Sequence, residues 1–172
     1  MHHMRSYVQA FFGKDAWPTV LSAMSDEDAS AVRHVLPVGW YPLELQYRLI
    51  HTIDATCGKG DGGLVKPIGR HEAQQDLTVV HRLFLRMANP GFVLEQAGRY
   101  WGRFYTSGAW TVQRHSSTSA SACLTGLDPF DPCMCDYLEA YLEEMWRLMG
   151  VEVSNSRAWI DRQDIHFQGA WR

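Results

Sequence analysis

The sequence feature that most constrains the fold is an amphipathic segment at residues 134–149, which lies between two pairs of strand-like segments. Its large apolar residues recur every three or four positions, as on one face of a helix. Gly150 follows directly and is typical of a helix C-terminus. The stripe consists of Met134, Tyr137, Leu138, Tyr141, Leu142, Met145, Trp146 and Met149.

Two predicted hairpins flank this helix. Residues 110–116 and 119–124 form the first, and residues 151–160 and 165–171 form the second. In the last segment Ile165, Phe167 and Trp171 occupy one face, while His166 and Gln168 occupy the other. This period of two is typical of a strand with one buried face.

The first half of the chain is predicted to be helical. Ser25 precedes three acidic residues and is the type of residue that caps a helix N-terminus. Four glycines within residues 58–63 indicate a flexible loop, which lacks the spacing of a phosphate-binding P-loop. Helices are predicted over residues 17–24, 26–35, 42–57, 70–88 and 92–104. The predicted fold class is α+β, with N-terminal helices packed on a four-stranded antiparallel sheet formed by two hairpins flanking one helix.

Composition supports a single globular domain over residues 1–172, with residues 1–3 expected to be disordered or derived from an expression vector. Apolar residues make up 46% of the 172 positions and charged residues 20%. The net charge is −3 and no Lys/Arg cluster occurs, which argues against a nucleic-acid partner. No apolar run is long enough for a membrane span. Without an export signal, the four cysteines are expected to be reduced in a cytoplasmic protein.

Aromatic residues and one histidine are the candidates for ligand binding. His81 lies on the apolar stripe of its predicted helix, where an imidazole could contact a ligand or remain a satisfied core residue. The dense aromatic residues could line a pocket or simply fill the core. The predicted ligand-binding residues are His81, Phe84, Tyr100, Trp101, Phe104 and Trp110.

The sequence offers no catalytic constellation, so the chain is expected not to be an enzyme. Cys133 and Cys135 precede a predicted helix N-terminus, a position that lowers a thiol pKa. With His166 they could bind a metal, or they could be two ordinary thiols. We predict no metal site.

The chain contains in this order Trp40-Tyr41-Pro42-Leu43, Ile68-Gly69-Arg70, Tyr100-Trp101-Gly102-Arg103-Phe104-Tyr105, the segment 135–143 and Trp171. This order of motifs resembles the heme-NO-binding-like superfamily, which includes the 4-vinyl reductase domain, aromatic-sensor domains, TRAPP subunits and an uncharacterised bacterial branch. The resemblance implies a ligand or partner site between helices and sheet, and a homodimer.

Two departures from the superfamily's patterns shape the expectation about cofactors. Heme-binding members carry a Tyr-x-Ser-x-Arg motif for the heme propionates, whereas this chain has Ala109 in the place of the arginine. Members with zinc use one cysteine like Cys135 and two cysteines in the last hairpin, near Ala158 and His166 here. We therefore expect no cofactor, with heme and zinc disfavoured.

The predicted function is a non-enzymatic module that binds a small apolar or aromatic molecule between helices and sheet. The first alternative is a protein–protein adaptor without a ligand. The second alternative is a heme-binding gas sensor, for which His81 would be the axial ligand.

Overall fold

The computed structural model describes residues 1, 3–36, 39–76, 89–103 and 105–172, and it leaves out the side chain of Tyr100. The predicted site residues His81, Phe84 and Phe104 therefore lie outside the described residues. Among the described residues, the first half of the chain contains six helices. They are α1 (Met4–Phe12), α2 (Ala16–Ser22), α3 (Asp26–Arg33), α4 (Leu43–Cys57), α5 (Val65–Asp76) and α6 (Pro90–Tyr100), which continues into a 3₁₀ turn at Trp101–Arg103.

Local capping explains where two of these helices begin. The Ser25 hydroxyl accepts the backbone N–H of Asp28 at 3.1 Å, as the sequence predicted for α3. The Asn89 side chain accepts the N–H of Gly91 at 2.9 Å at the start of α6. Pro90 follows as the first helical residue, where its missing N–H leaves no intrahelical bond unmade.

The second half forms one four-stranded antiparallel sheet with a helix between its hairpins. The elements are β1 (Ala109–Ser116), β2 (Ser119–Thr125), α7 (Cys133–Met149), β3 (Val153–Asp161) and β4 (Asp164–Trp171). The strand order is β1-β2-β4-β3. The predicted fold class is therefore confirmed: helices pack on an antiparallel sheet formed by two hairpins on either side of one helix.

Helix α7 packs on the inner face of the sheet through Trp146. This side chain is fully buried, and its ring centroid lies 5.4 Å from that of Phe167 and 5.1 Å from that of Trp171. Gly169 leaves the space for the indole, because a Cβ there would collide with the six-membered ring of Trp146. The predicted alternation of β4 is confirmed, since Ile165, Phe167 and Trp171 are buried on this face.

Helix α5 begins earlier than the sequence predicted. It starts at Val65 instead of Arg70, with Pro67 in its first turn, where a missing N–H is tolerated. Gly69 lies within this helix. Glycine is required there because a Cβ would lie 2.5 Å from the carbonyl oxygen of Tyr137. The glycine thus brings α5 and α7 into close contact instead of ending a loop.

The glycine-rich loop is held by one buried carboxylate. Asp54 accepts the N–H of Gly62 at 2.7 Å and the N–H of Leu64 at 2.8 Å. Asp54 is 3% exposed, so these bonds compensate for removing its carboxylate from water. Two amides of the loop therefore donate to a side chain of the protein itself.

No helix among the described residues is long and apolar enough to cross a membrane.

Candidate functional site

A stack of three aromatic rings lies where the helical half meets the sheet. The ring centroid of Trp101 lies 4.2 Å from that of Tyr105 and 5.9 Å from that of Trp110, with interplanar angles of 20° and 12°. The indole N–H of Trp101 donates to the carbonyl oxygen of Ser107 at 2.9 Å. Two of the predicted ligand-binding residues, Trp101 and Trp110, are therefore brought together.

Two glycines allow this stack to form. A Cβ on Gly98 would lie 2.8 Å from Cδ1 of Trp110, so α6 approaches β1 only because that side chain is absent. Gly108 adopts a φ of +86°, and a Cβ there would lie 3.1 Å from Nε1 of Trp101. The stack is thus fixed by backbone positions that other residues would disturb.

A cavity of about 360 Å³ opens beside Tyr105. The walls come from four separate parts of the chain, so no local sequence pattern pointed to it. Its lining residues include Met1, the segment 39–44, Gln46, the segment 105–107, Asp128 and Pro129. Tyr105 belongs to both the ring stack and the cavity wall. The motif at residues 40–43, which the sequence linked only to a family resemblance, forms part of this wall.

Near Tyr105 lies a cluster of tyrosines and carboxylates, of which Tyr137 and Glu72 are buried, and we call it the tyrosine–carboxylate cluster. The hydroxyl of Tyr137 donates to Oε2 of Glu72 at 2.5 Å, and that of Tyr141 donates to Oδ2 of Asp76 at 3.1 Å. Burial raises the pKa of Tyr105, and the charge of Glu72 raises it further. Burial and Glu72 likewise raise the pKa of Tyr137 and hold its phenol protonated. The cluster therefore keeps its hydroxyls as hydrogen-bond donors.

The two carboxylates of this cluster respond differently to burial. Burial acts to raise the pKa of Glu72, but the Met1 ammonium and the hydrogen bond from Tyr137 more than offset it, so the pKa is lowered. The distance from Met1 N to Oε1 of Glu72 is 2.9 Å. Burial raises the pKa of Asp76, and the nearby charge of Glu72 adds to the effect.

The segment that aligns with the Tyr-x-Ser-x-Arg motif is partly committed to the protein. The Ser107 hydroxyl donates to the carbonyl oxygen of Asp128 at 2.7 Å and accepts the Asp128 N–H at 3.1 Å. Tyr105 is hydrogen-bonded to Gln46. Ala109 is exposed at the start of β1. Ser107 therefore anchors the turn, and both Tyr105 and Ser107 line the cavity.

One buried donor at the ring stack lacks a partner in the part of the chain that the structure describes. Nε1 of Trp110 is shielded from solvent and makes no hydrogen bond there. An unsatisfied buried N–H costs about 1–3 kcal/mol. A carboxylate or carbonyl of a bound molecule would relieve that cost, so this atom fits a ligand with an acceptor group.

The structure separates Cys133, Cys135 and His166, which the sequence left open as an alternative metal site. His166 stacks on Trp159 on the outer face of the sheet, whereas both cysteines are buried at the start of α7. Burial raises the pKa of Cys133, and it raises that of Cys135 to about 11. The expectation that the helix N-terminus lowers the pKa of these thiols was wrong, because desolvation outweighs the effect of the helix dipole.

His115 on β1 is exposed and hydrogen-bonded to Ser121 at 2.9 Å. It does not approach the ring stack or the tyrosine–carboxylate cluster, because it lies on the outer face of the sheet. Tyr100 ends α6.

No model of a known protein family matches the sequence, and no curated protein matches it either. Solved structures do match over almost the whole chain. An Fe(II) unliganded H-NOX protein from K. algicida has a TM-score of 0.75 at 10% identity, covering 99% of this chain and 94% of that one. An H-NOX protein from S. oneidensis in the Fe(II)NO ligation state has a TM-score of 0.73 at 9% identity, covering 99% and 96%.

A third structure, from a study of heme distortion in the H-NOX family, has a TM-score of 0.66 at 13% identity, with coverage of 97% and 90%. These neighbours overturn the sequence prediction of no cofactor with heme disfavoured, because the same fold carries iron or heme in those proteins. Ala109 in the place of the motif's arginine was therefore not sufficient reason to disfavour heme. The resemblances to 4-vinyl reductase, aromatic-sensor and TRAPP proteins stay predictions. At these identities the comparison establishes the architecture: this chain has the H-NOX fold.

Proposed function

We propose that this chain is a non-enzymatic sensor domain that holds a heme between its helical half and its sheet and binds a diatomic gas. The observation that carries the proposal is the full-length likeness to H-NOX structures, which include an Fe(II)NO state. When bound, the heme supplies an iron whose open coordination position takes the gas. His81, on the predicted helix before α6, is the residue whose imidazole would hold the heme.

The described residues would hold the heme through rings and a few donors. Trp101, Tyr105 and Trp110 offer flat apolar surfaces of the kind that bind aromatic groups. The indole N–H of Trp110, which has no partner among the described residues, would donate to a propionate. The hydroxyl of Tyr105 stays protonated and provides a second donor.

Because Ala109 stands in the place of the arginine, the heme propionates should be bound more weakly than a guanidinium would bind them. A bidentate arginine–carboxylate pair is among the strongest hydrogen-bonded contacts in proteins, and neutral N–H and O–H donors replace it here. We therefore expect heme to be retained but to exchange readily. This expectation separates the chain from a tightly loaded heme protein.

A second candidate is a small organic molecule bound without heme in the cavity beside Tyr105. The supporting observation is the cavity volume of about 360 Å³, which lies near the lower end of the range of about 300–1,000 Å³ that is usual for small-molecule pockets. Its walls combine the rings of Trp40, Tyr41 and Tyr105 with polar side chains such as Gln46 and Asp128, which suit an aromatic ligand that carries polar groups.

A native mass spectrum beside a denaturing one, together with an absorbance scan, separates these candidates. The protein should be produced with a heme precursor in the medium. A mass excess equal to heme, with heme absorbance, supports the first proposal. A different mass excess without heme absorbance supports the second. A bare chain mass that takes up no added heme contradicts the heme proposal.

Trp110→Phe tests the role of the indole donor while keeping an aromatic ring. We expect this variant to lose bound heme faster than the wild type in a transfer assay to an apo-globin acceptor. Trp159→Phe is the matched control, because Trp159 lies on the outer face of the sheet and is 38% exposed. Equal rates of heme loss in all three proteins would contradict the assigned role.

Dimerisation, a protein partner and a cytoplasmic location stay predictions from the sequence.

A further inference from the structure

A row of chemically reactive side chains crosses the outer face of the sheet, away from the ring stack. Cys123 on β2 lies directly opposite His166 on β4, and His166 lies opposite Trp159 on β3. Directly opposed residues in an antiparallel pair project to the same face with their Cβ atoms about 4.5–5.5 Å apart. The sheet register therefore brings a thiol and an imidazole together.

Asp164 completes a group of three possible metal ligands. One ligand atom from each of Cys123, Asp164 and His166 lies within 4.8 Å of the others. The distance from Sγ of Cys123 to Nε2 of His166 is 4.0 Å. Zn²⁺ bound tetrahedrally at about 2.3 Å from sulfur and about 2.0 Å from nitrogen would hold these two atoms about 3.6 Å apart. Small side-chain rotations close this difference.

A groove of about 450 Å³ adjoins Cys123 and His166. It is lined by Thr111, Gln113 and Ser121 as well as by Cys123, Trp159 and His166. The stack of His166 on Trp159, with centroids 5.3 Å apart and an interplanar angle of 11°, fixes the plane of the imidazole. Three protein ligands and an accessible groove leave a fourth position for water or another small ligand.

We propose that Cys123, His166 and Asp164 form a binding site for a divalent cation of borderline softness, with Zn²⁺ as the best match. A thiolate, an imidazole and a carboxylate are all ligands that this cation accepts. The site is separate from the proposed heme position, and the sequence did not predict it, because Cys123 and His166 are 43 residues apart and no spacing motif joins them.

The other described group of this kind carries less weight. His51, Asp131 and Cys133 also lie within reach of one another. Asp131, however, already accepts the N–H of Cys133 at 2.9 Å and pairs with His51 at 2.9 Å. The Asp131 carboxylate is thus already hydrogen-bonded at the N-terminus of α7, and Cys133 is buried.

Titration with Co²⁺, followed by competition with Zn²⁺, tests the proposal. Co²⁺ bound to a thiolate gives charge-transfer absorbance that hexaaqua Co²⁺ lacks. We expect one equivalent of Co²⁺ to develop this absorbance and Zn²⁺ to displace it. No thiolate absorbance at a stoichiometric excess of Co²⁺ would overturn the proposal.

Variants locate the site. Cys123→Ser should abolish the thiolate absorbance, and His166→Asn and Asp164→Asn should each weaken Co²⁺ binding by at least tenfold. Cys57→Ser and His115→Gln are matched controls that keep the three ligands and should bind as the wild type does. Binding that survives in Cys123→Ser, or that is lost in Cys57→Ser, would place the metal elsewhere. Unchanged thermal unfolding of the apo variants, which alter half-exposed residues, shows that each one is folded.

Discussion

Tyr137 and Glu72 join α7 to α5 through a hydrogen bond of 2.5 Å between two buried side chains. Each of the two residues is 4% exposed. Glu72 carries its charge in an apolar setting and depends on the phenol and on the Met1 ammonium for compensation. This pair forms the rear of the tyrosine–carboxylate cluster and supports Tyr105 at the cavity wall.

Tyr137→Phe should lower the free energy of unfolding by about 1.5–3 kcal/mol, because it removes a hydrogen bond to a buried charged group. Tyr141→Phe removes a longer bond, of 3.1 Å, to a partly exposed carboxylate. Its loss should be below about 1 kcal/mol. Urea denaturation at pH 7 measures both values. Equal losses would show that burial of Glu72 does not set the cost.

Gly69→Ala should destabilise the contact between α5 and α7 by about 1–3 kcal/mol, since the new methyl group meets backbone and forces the helices apart. The new Cβ would lie 2.5 Å from the carbonyl oxygen of Tyr137. Gly102→Ala is the control, because nothing lies within 4 Å of a Cβ there. It should stay within about 0.5 kcal/mol of the wild type. A neutral Gly69→Ala would contradict the close helix contact.

Asp131 should make the protein sensitive to acid. Burial acts to raise the pKa of Asp131, but the Cys133 N–H and His51 more than offset it, so the folded pKa lies below the ordinary value of 3.8. A lowered acid pKa contributes stability that is complete above the unfolded pKa and is lost as the pH falls through the folded pKa.

Unfolding free energies of the wild type and Asp131→Asn between pH 7 and pH 2 measure this contribution. The wild type should be more stable at pH 7 by about 1 kcal/mol. The two curves should converge below pH 3.8, where the carboxylate becomes protonated. A constant difference across the whole range would show that Asp131 acts through shape and not through charge.

The sheet and its intervening helix were predictable because their periodicities are strong. The apolar stripe of α7 and the alternation of Ile165 and Phe167 each match one regular structure. The start of α5 was not predictable, because Pro67 and Gly69 are ordinarily signs of a loop. Only the contact with Tyr137 explains a glycine at that helical position.

The candidate site was predictable only in part. The aromatic density around Trp101 and Trp110 indicated the ring stack, but the cavity combines segments that are far apart in sequence. Helix dipole reasoning predicted lowered pKa values for the thiols of Cys133 and Cys135, whereas burial raises them. Burial depends on tertiary packing, which a local motif does not report.

Ala109→Arg should strengthen heme retention, because it restores the full Tyr-x-Ser-x-Arg pattern at an exposed position that has room for a longer side chain. A bidentate pair with a propionate should slow heme loss by about tenfold or more, a change worth about 1.4 kcal/mol. Ala109→Gln provides a side chain of similar reach without the charge and should give little gain. Equal heme loss from the arginine variant and the wild type would argue that the propionates lie away from β1.

The most direct test of the proposed function is the absorbance spectrum of the ferrous, heme-loaded protein before and after addition of nitric oxide. It should be recorded for the wild type and for His81→Gly with and without free imidazole. We predict a heme spectrum that shifts with nitric oxide in the wild type, is lost or altered in His81→Gly, and is restored by imidazole. A wild type that binds no heme, or a heme spectrum unaffected by His81→Gly, would contradict the proposal.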